Sequence, residues 1–300
     1  MTDLSVVIIS YNTKDLLFDC LKSIYRAQQP SKGLEVIVID NNSQDNSVEM
    51  VKKDFPKVNL IANKDNKGFA AANNQGVQIA TGKYLLFLNS DTKISSQALV
   101  KPLKYLQKNP QVGGITVKLL LPSGELDPDN HRGFLTPWTA LTKFSGLYKL
   151  FPKYKLFNNY YQSYKNFNKT HPIDVTAGSY LMMPKKVFDK LGGWDESYFF
   201  YGEDIDLSYR INQAGYRIVY YPKVTTLHYK GASSGLRKES KRIARPPKET
   251  RIKVARSSTE AMKIFYQKFY QDKYPFYVRE PVLFAIKTMG WFRILKHKLL

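Results

Sequence analysis

Residues 83–94 read KYLLFLNSDTKI, an apolar run at Leu85-Leu86-Phe87-Leu88 that stops at Asn89-Ser90-Asp91-Thr92, four oxygen-bearing side chains around one carboxylate. A strand that is apolar at successive positions, not at alternate ones, is covered on both faces, which is how strands of a parallel sheet read. In open sheets of that kind ligands collect outside the carboxyl ends of the strands. Asp91 is therefore expected to touch a ligand.

Working outward, LSVVIIS (4–10) and EVIVID (35–40) are further short β-branched runs, and Leu16, Leu17, Cys20, Leu21 and Ile24 recur between them at helical spacing. A second helix is predicted after Asn46, then a strand at VNLIA, a helix over 69–80, and YLLFL itself. This alternation predicts an α/β fold with a mainly parallel sheet and helices on both faces. A helix over 96–108 follows, and Pro102, which lacks a backbone donor, is expected to kink it or divide it. Past VGGITVKLLL the periodicity weakens. Residues 131–170, rich in aromatics and lysines, read as an insertion that packs on the ligand edge of the sheet. IDVTAGSYLMM is predicted as one strand, Lys185–Leu191 as a helix stopped by Gly192-Gly193, and a helix from Glu203 to Gly215 precedes the strand RIVYYP and the segment TTLHYKG.

Three hundred residues with 43% hydrophobic content can bury one large core. The single cysteine, Cys20, excludes an intramolecular disulfide framework and fits a reducing, cytoplasmic compartment. Met1-Thr2-Asp3 leads into LSVVIIS without the basic segment of a signal peptide, and no window has the length and apolarity of a membrane span. Lys and Arg number 46 against 25 Asp and Glu, a formal +21 that favours polyanionic surroundings: nucleic acid, anionic lipid or phosphorylated substrates. Residues 237–256 hold nine basic and two acidic residues, and read either as a solvated loop and helix face or as a contact with such a partner. On a helical wheel of 281–300, Phe284, Trp291, Phe292, Leu295 and Leu299 share a face opposite Arg293, Lys296 and His297. That pattern suits peripheral attachment to an anionic membrane or docking on the rest of the protein.

Four clusters sit where strands end or a helix begins: Ser10-Tyr11-Asn12, Asp40-Asn41-Asn42-Ser43, Asn89-Ser90-Asp91 and Gly202-Glu203-Asp204. In a parallel sheet the first three line one cleft. In order along the chain, SVVIISYN, IDNNSQDNS, NKGFAAANNQG, LLFLNSD, GSYLMM, LGGWDESYFFYGEDIDLSYR and LHYKG resemble glycosyltransferase family 2, the inverting GT-A nucleotide-sugar transferases, and among them bacterial rhamnosyltransferase-like members. The resemblance covers roughly two thirds of the chain. It implies a GT-A catalytic domain over 1–235, with a nucleotide-sugar half (1–121) and an acceptor and catalytic half (122–235), followed by a basic, mostly helical extension over 236–300.

The same resemblance implies a donor subsite at Ser10, Tyr11, Asn12, Asp40, Asn42, Lys67, Gly68, Asn73, Asn89 and Ser90 for a dTDP- or UDP-linked sugar. Asp40, acceptor-only, suits the imide N–H of thymine or uracil, although an Asx-type turn to Ser43 would also account for it. Gly68 would allow close backbone approach, and Lys67 would stand in for the arginine that related sequences carry where this chain has Ala72. Asn89-Ser90-Asp91 corresponds to the family's D-x-D element with an amide in first place. Asp91 and His228 would then hold a divalent metal, Mn²⁺ or Mg²⁺, on the donor diphosphate. Asp204 would be the catalytic base with Glu203 in reserve, while acidic residues in a first turn also suit the helix dipole. Asp206 would support the helix or Arg210. Gly178, Trp194 and Asp195 fall on the acceptor side, where Trp194 is either an aromatic face for a sugar or a core residue after a helix cap.

The reaction implied is metal-dependent sugar transfer with inversion to a hydroxyl of a glycan acceptor, lipid-linked, in cell-envelope polysaccharide assembly, by a protein held at the inner face of the cell membrane. A nucleotide-sugar-binding protein without turnover is the alternative raised by Asn89 and Ala72. Nucleic acid is not the expected partner, since no helix or sheet signature of a common binding module accompanies the charge. A dinucleotide-dependent dehydrogenase fails for want of a G-x-G-x-x-G after the first strand.

Overall fold

The computed structural model describes residues 2–231 and 248–299. Its first half is the predicted alternation: β1 (Leu4–Ser10), α1 (Lys14–Arg26), β2 (Leu34–Asp40), α2 (Ser47–Asp54), β3 (Asn59–Ala62), α3 (Phe69–Ile79) and β4 (Tyr84–Asn89). These strands run parallel in the order β3-β2-β1-β4. Alternate residues explain the continuous apolar runs. Val6, Ile8, Leu86 and Leu88 pack with Leu17, Leu21 and Ile24 of α1 on one face, while Val7, Leu85 and Phe87 pack with Ala72 and Val77 of α3 on the other.

The second half is mixed. After β5 (Thr92–Ile94), α4 (Val100–Lys108) and β6 (Val112–Leu120) come a 3₁₀ turn at Pro128–Asn130 and the short helices α5 (Pro137–Phe144), α6 (Leu147–Leu150) and α7 (Lys155–Asn158). Then follow β7 (His171–Ile173), β8 (Tyr180–Pro184), α8 (Lys185–Lys190), α9 (Glu203–Gln213) and β9 (Arg217–His228), and, beyond the basic segment, α10 (Lys248–Phe269) and α11 (Phe276–Leu299). The sheet continues β4-β8-β6-β9-β5, with β8 antiparallel to both neighbours, β6 and β9 parallel, and β7 on β9.

Three local expectations are corrected. Pro102 does not kink α4: it lies in the first turn, where its missing N–H has no intrahelical acceptor to lose. The stretch IDVTAGSYLMM is two strands, because β7 pairs with β9 while β8 inserts between β4 and β6, and the chain crosses between them over 174–179. RIVYYP and TTLH form one strand, bent at a register shift that absorbs Pro222, where a missing donor breaks no ladder bond. Of the basic run 237–256, residues 237–247 lie outside the described residues, and 248–256 open α10.

The C-terminal helices are not detached. Tyr209 of α9 shares one buried cluster with Phe265 and Tyr266 of α10, Tyr270 just beyond it and Ile286 of α11. Lys268 reaches Asp195 at 2.5 Å and Asp206 at 2.6 Å.

Candidate active site

Outside the carboxyl ends of β1 and β4 lies a cleft of about 650 Å³. Of the sequence-derived candidates, Tyr11, Gly68, Asn89, Ser90, Asp91, Gly178, Glu203, Asp204 and His228 line it. Its floor is a buried hydroxyl chain in which Thr13 Oγ1 is 3.2 Å from Ser10 Oγ and 2.9 Å from Ser90 Oγ. Ser10 is thus support beneath the cleft.

Other candidates take structural positions. Asn12 accepts from the Gln44 amide at 2.8 Å and donates through its own amide to Ser43 Oγ at 2.9 Å, tying the loops after β1 and β2 together, while Asn42 accepts from Gln44 Nε2 at 3.2 Å within the second of those loops. Asp40 is buried: Oδ1 accepts from the Ser43 amide at 2.8 Å, the expected turn, while Oδ2 has no hydrogen-bond partner. Lys67 pairs with Asp65 at 3.2 Å and is not among the residues lining the cleft. Asn73 is buried and donates within its own helix to the Phe69 carbonyl at 2.9 Å. Gly68, at φ +84°, leaves room for the Phe199 carbonyl, which an added Cβ would meet at 2.6 Å. Trp194 is a core residue, edge-on to Phe69 and Phe87 with ring centroids 5.6 and 4.9 Å away, and presents no face to the cleft. Asp195 is held in its ion pair with Lys268. Asp206 binds Arg210 at 2.5 Å as expected.

Sheet pairing makes the candidate metal site. Thr92 of β5 is registered opposite His228 of β9, and the Tyr229 amide donates to the Asp91 carbonyl at 2.9 Å. This places His228 Nε2 3.3 Å from Asp91 Oδ1, with Nδ1 2.8 Å from Asp127 Oδ2. Asp127 also binds Lys230, and Lys230 reaches Asp129 at 2.9 Å. Burial alone would lower the His228 pKa, but the Asp91 and Asp127 carboxylates raise it to about 9. Burial alone would raise that of Asp127, but the His228 hydrogen bond and charge, with Lys230, bring it to about 2.

These residues fit a divalent ion. Two donors each about 2.1 Å from one ion at neighbouring positions stand about 3 Å apart, close to the separation found. Asp127 behind Nδ1 orients the ring so that Nε2 faces the site, the usual arrangement of a ligating histidine. Ligation requires Nε2 to release its proton. Among the described residues no group of three or more His, Cys, Asp or Glu side chains is gathered at ligand spacing.

The second charged pair lies at the start of α9. Asp204 Oδ2 accepts from Arg132 Nη2 at 2.8 Å, and Oδ1 from the Ile205 amide at 2.8 Å. Glu203 is buried, and its Oε2 has no hydrogen-bond partner. Burial and the neighbouring Asp204 charge push Glu203 up to about 8. Burial raises Asp204 too, against the pull of Arg132.

Sequence reasoning missed Asp127, Arg132, Lys143, Tyr160, Lys230 and Lys253, all of which line the cleft. Lys230 had a signal, lying two residues past His228 where strand alternation returns a side chain to the same side. Asp127 had none, and Arg132 only its place at the start of the 131–170 insertion expected on the ligand edge.

The sequence pattern described as Glycosyl transferase family 2 matches residues 5–192, and that described as the N-terminal domain of galactosyltransferase matches 158–232. The N-acetylglucosaminyl-diphospho-decaprenol L-rhamnosyltransferase of Mycobacterium tuberculosis is 26% identical over 270 residues, 85% of each chain. Among solved structures, mannosyltransferase PcManGT from Pyrobaculum calidifontis, in complex with GDP-Man and Mn²⁺, aligns with all of this chain and 75% of its own, with TM-score 0.56 and 18% identity. GalNAc-T7 with UDP, GalNAc and Mn²⁺ aligns with 91% of this chain and 54% of its own, with TM-score 0.57 and 17% identity. These likenesses establish the fold as that of the GT-A glycosyltransferases.

Proposed function

Because this chain belongs to glycosyl transferase family 2 and is a transferase enzyme, we propose that it moves a sugar, with inversion, from a dTDP- or UDP-linked donor to a hydroxyl of a lipid-linked glycan in cell-envelope polysaccharide assembly. The observation that carries this reading is one cleft lined by both the Asp91–His228 pair and the Glu203–Asp204 pair. In this reading residues 1–121 supply the donor wall, 122–235 the acceptor wall and the base, and the helices past 236 close the side. Asp40 Oδ2, a buried acceptor without a hydrogen-bond partner, suits the base N–H of the nucleotide.

Asp204 accepts the proton of the acceptor hydroxyl as that oxygen attacks the anomeric carbon. The bond to the diphosphate breaks on the opposite face, and its electron pair leaves with the diphosphate. Arg132 aims Asp204 and favours its charged form against the burial that raises its pKa, and Glu203, carrying a proton at neutral pH, keeps a second negative charge away from it. Asp91 and His228 would hold Mn²⁺ or Mg²⁺, which, when bound, offsets the charge developing on the diphosphate. Mixed nitrogen and oxygen donors favour Mn²⁺. The relative named above, a diphospho-decaprenol rhamnosyltransferase, supports a lipid-linked acceptor and hence a protein peripheral to the inner face of the membrane.

The test is a panel of nucleoside diphosphate sugars screened for a rise in unfolding temperature with Mn²⁺ present, since a ligand of the native state alone stabilises it. A dTDP- or UDP-sugar that stabilises the protein and is turned over with a diphosphate-lipid acceptor supports the reading. No stabilisation by any member of the panel overturns it.

A further inference from the structure

The insertion turns its large apolar side chains outward. On α5 the buried pair is Thr139 and Thr142, at 3% and 1% exposure, whereas Trp138, Leu141 and Phe144 are 44%, 55% and 55% exposed. Leu150 of α6 (73%), Tyr154 (65%) and Leu156 of α7 (61%) extend the patch. A helix meant for water has the opposite arrangement, polar side outward. The patch is also fixed in place. Trp138 Nε1 donates to the Leu156 carbonyl at 2.9 Å, Thr139 Oγ1 donates to the Phe134 carbonyl at 2.8 Å, and the Phe151 and Phe157 rings lie 4.7 Å apart. Three short helices thus form one rigid apolar platform.

Its charge is one-sided. From His131 to Ile173 the sequence contains no Asp or Glu, but it contains Arg132 and lysines at 143, 149, 153, 155, 165 and 169. Exposed aromatic and aliphatic side chains fringed by lysines, with no acid among them, match the interface of an anionic bilayer: the rings enter the headgroup boundary and the ammonium groups meet the phosphates. The platform adjoins the cleft as well. Lys143, beside Phe144, lies 3.6 Å over the Tyr160 ring, and both line the cleft next to Arg132.

We propose that α5–α7 are a membrane-docking surface for anionic lipid, which holds the Lys143–Tyr160 side of the cleft at the bilayer. The docking itself follows from the platform; its service to transfer rests on the lipid-linked acceptor proposed above.

The test uses the full chain and vesicles of phosphatidylcholine with or without phosphatidylglycerol. Leu141→Ser, Phe144→Ser and Leu150→Ser are combined, since all three side chains are exposed and an unchanged unfolding temperature confirms the fold. The unaltered protein should sediment with phosphatidylglycerol vesicles at low salt and not with phosphatidylcholine alone, and the triple variant should partition at least about tenfold less. Its stabilisation by nucleotide sugar and its transfer to a short-chain, water-soluble acceptor should be unchanged, while transfer to vesicle-embedded acceptor falls. A companion variant on α11, Phe284→Ser with Trp291→Ser and Phe292→Ser, should still bind. The proposal is overturned if the α5–α6 variant sediments like the unaltered protein, if the two vesicle types bind equally, or if light scattering shows that the patch joins two copies of the chain. Failure of every nucleotide sugar to bind would sink the transferase chemistry and leave the vesicle result standing.

Discussion

At the scale of single residues, the neighbouring carboxylates Glu203 and Asp204 differ in partners, and in the proposed mechanism that difference divides their roles. Asp204 is held by Arg132, whereas Glu203 is buried and retains its proton up to about pH 8. Asp204→Asn should therefore lower kcat by about 10²–10⁴-fold with donor affinity nearly intact, because the amide fills the same space but cannot accept the hydroxyl proton. Glu203→Gln should retain most activity, since it replaces a neutral acid by a neutral amide; single-turnover transfer by the two variants decides between them. The same residue predicts a pH dependence of stability. Between the ordinary carboxyl pKa near 4.5 and about 8, the unfolded chain has Glu203 ionised while the folded protein keeps it protonated, so this group's contribution falls as pH rises through that window and levels off above it. Denaturant midpoints at pH 5.5 and 8.5 should show Glu203→Gln losing less stability over the interval than the unaltered protein. The YGEDIDLSYR segment showed both acids in sequence but not which would be paired, because Arg132 is distant along the chain and lies outside any regular element.

At the scale of elements, pairing of β5 with β9 brings Asp91 to His228, and the 3₁₀ turn at Pro128–Asn130 brings Asp127 behind the imidazole. Asp127→Asn should keep the ring in place but weaken its grip, lowering Mn²⁺ affinity by roughly 10–100-fold, as loss of a carboxylate behind a ligating histidine does. Titration of Mn²⁺ against nucleotide-sugar-dependent stabilisation measures it, and exhaustive chelation should abolish transfer in both proteins. Where α9 begins, Gly202 has φ +94°, and a Cβ there would stand 2.8 Å from the Tyr198 ring and 2.9 Å from Ala261 of α10. Gly202→Ala combines backbone strain with overpacking and should cost roughly 2–5 kcal/mol, read as a lower denaturant midpoint. Asn74 joins α3 to the loop after α8 in both directions, donating to the Trp194 carbonyl at 2.9 Å and accepting its amide at 3.0 Å. This explains a tryptophan drawn into the core, where the motif alone left a sugar platform equally open.

At the scale of the whole molecule, the C-terminal helices pack on α9 and reach the cleft. Lys253 and Ser257 of α10 line the cleft, and Lys268 neutralises the buried Asp206. Deleting residues 248–300 should lower the unfolding temperature by about 5 °C or more, because it exposes Tyr209 and leaves Asp206 with one cation fewer, and scanning calorimetry would measure it. The sequence by itself determined the parallel half of the sheet, since runs such as Leu85-Leu86-Phe87-Leu88 must be buried on both faces, and the exit of those strands into polar clusters located the cleft. The family resemblance carried by its ordered motifs also named Asp91, Glu203, Asp204 and His228 as chemical candidates. Tertiary structure alone decided which candidates face the cleft, which acid Arg132 holds, that Asp127 stands behind His228, and that α5–α7 turn their apolar side outward. The physical reason is that periodicity reports which face of an element is buried, whereas charge pairing depends on groups brought together across the sheet from segments with no period of their own.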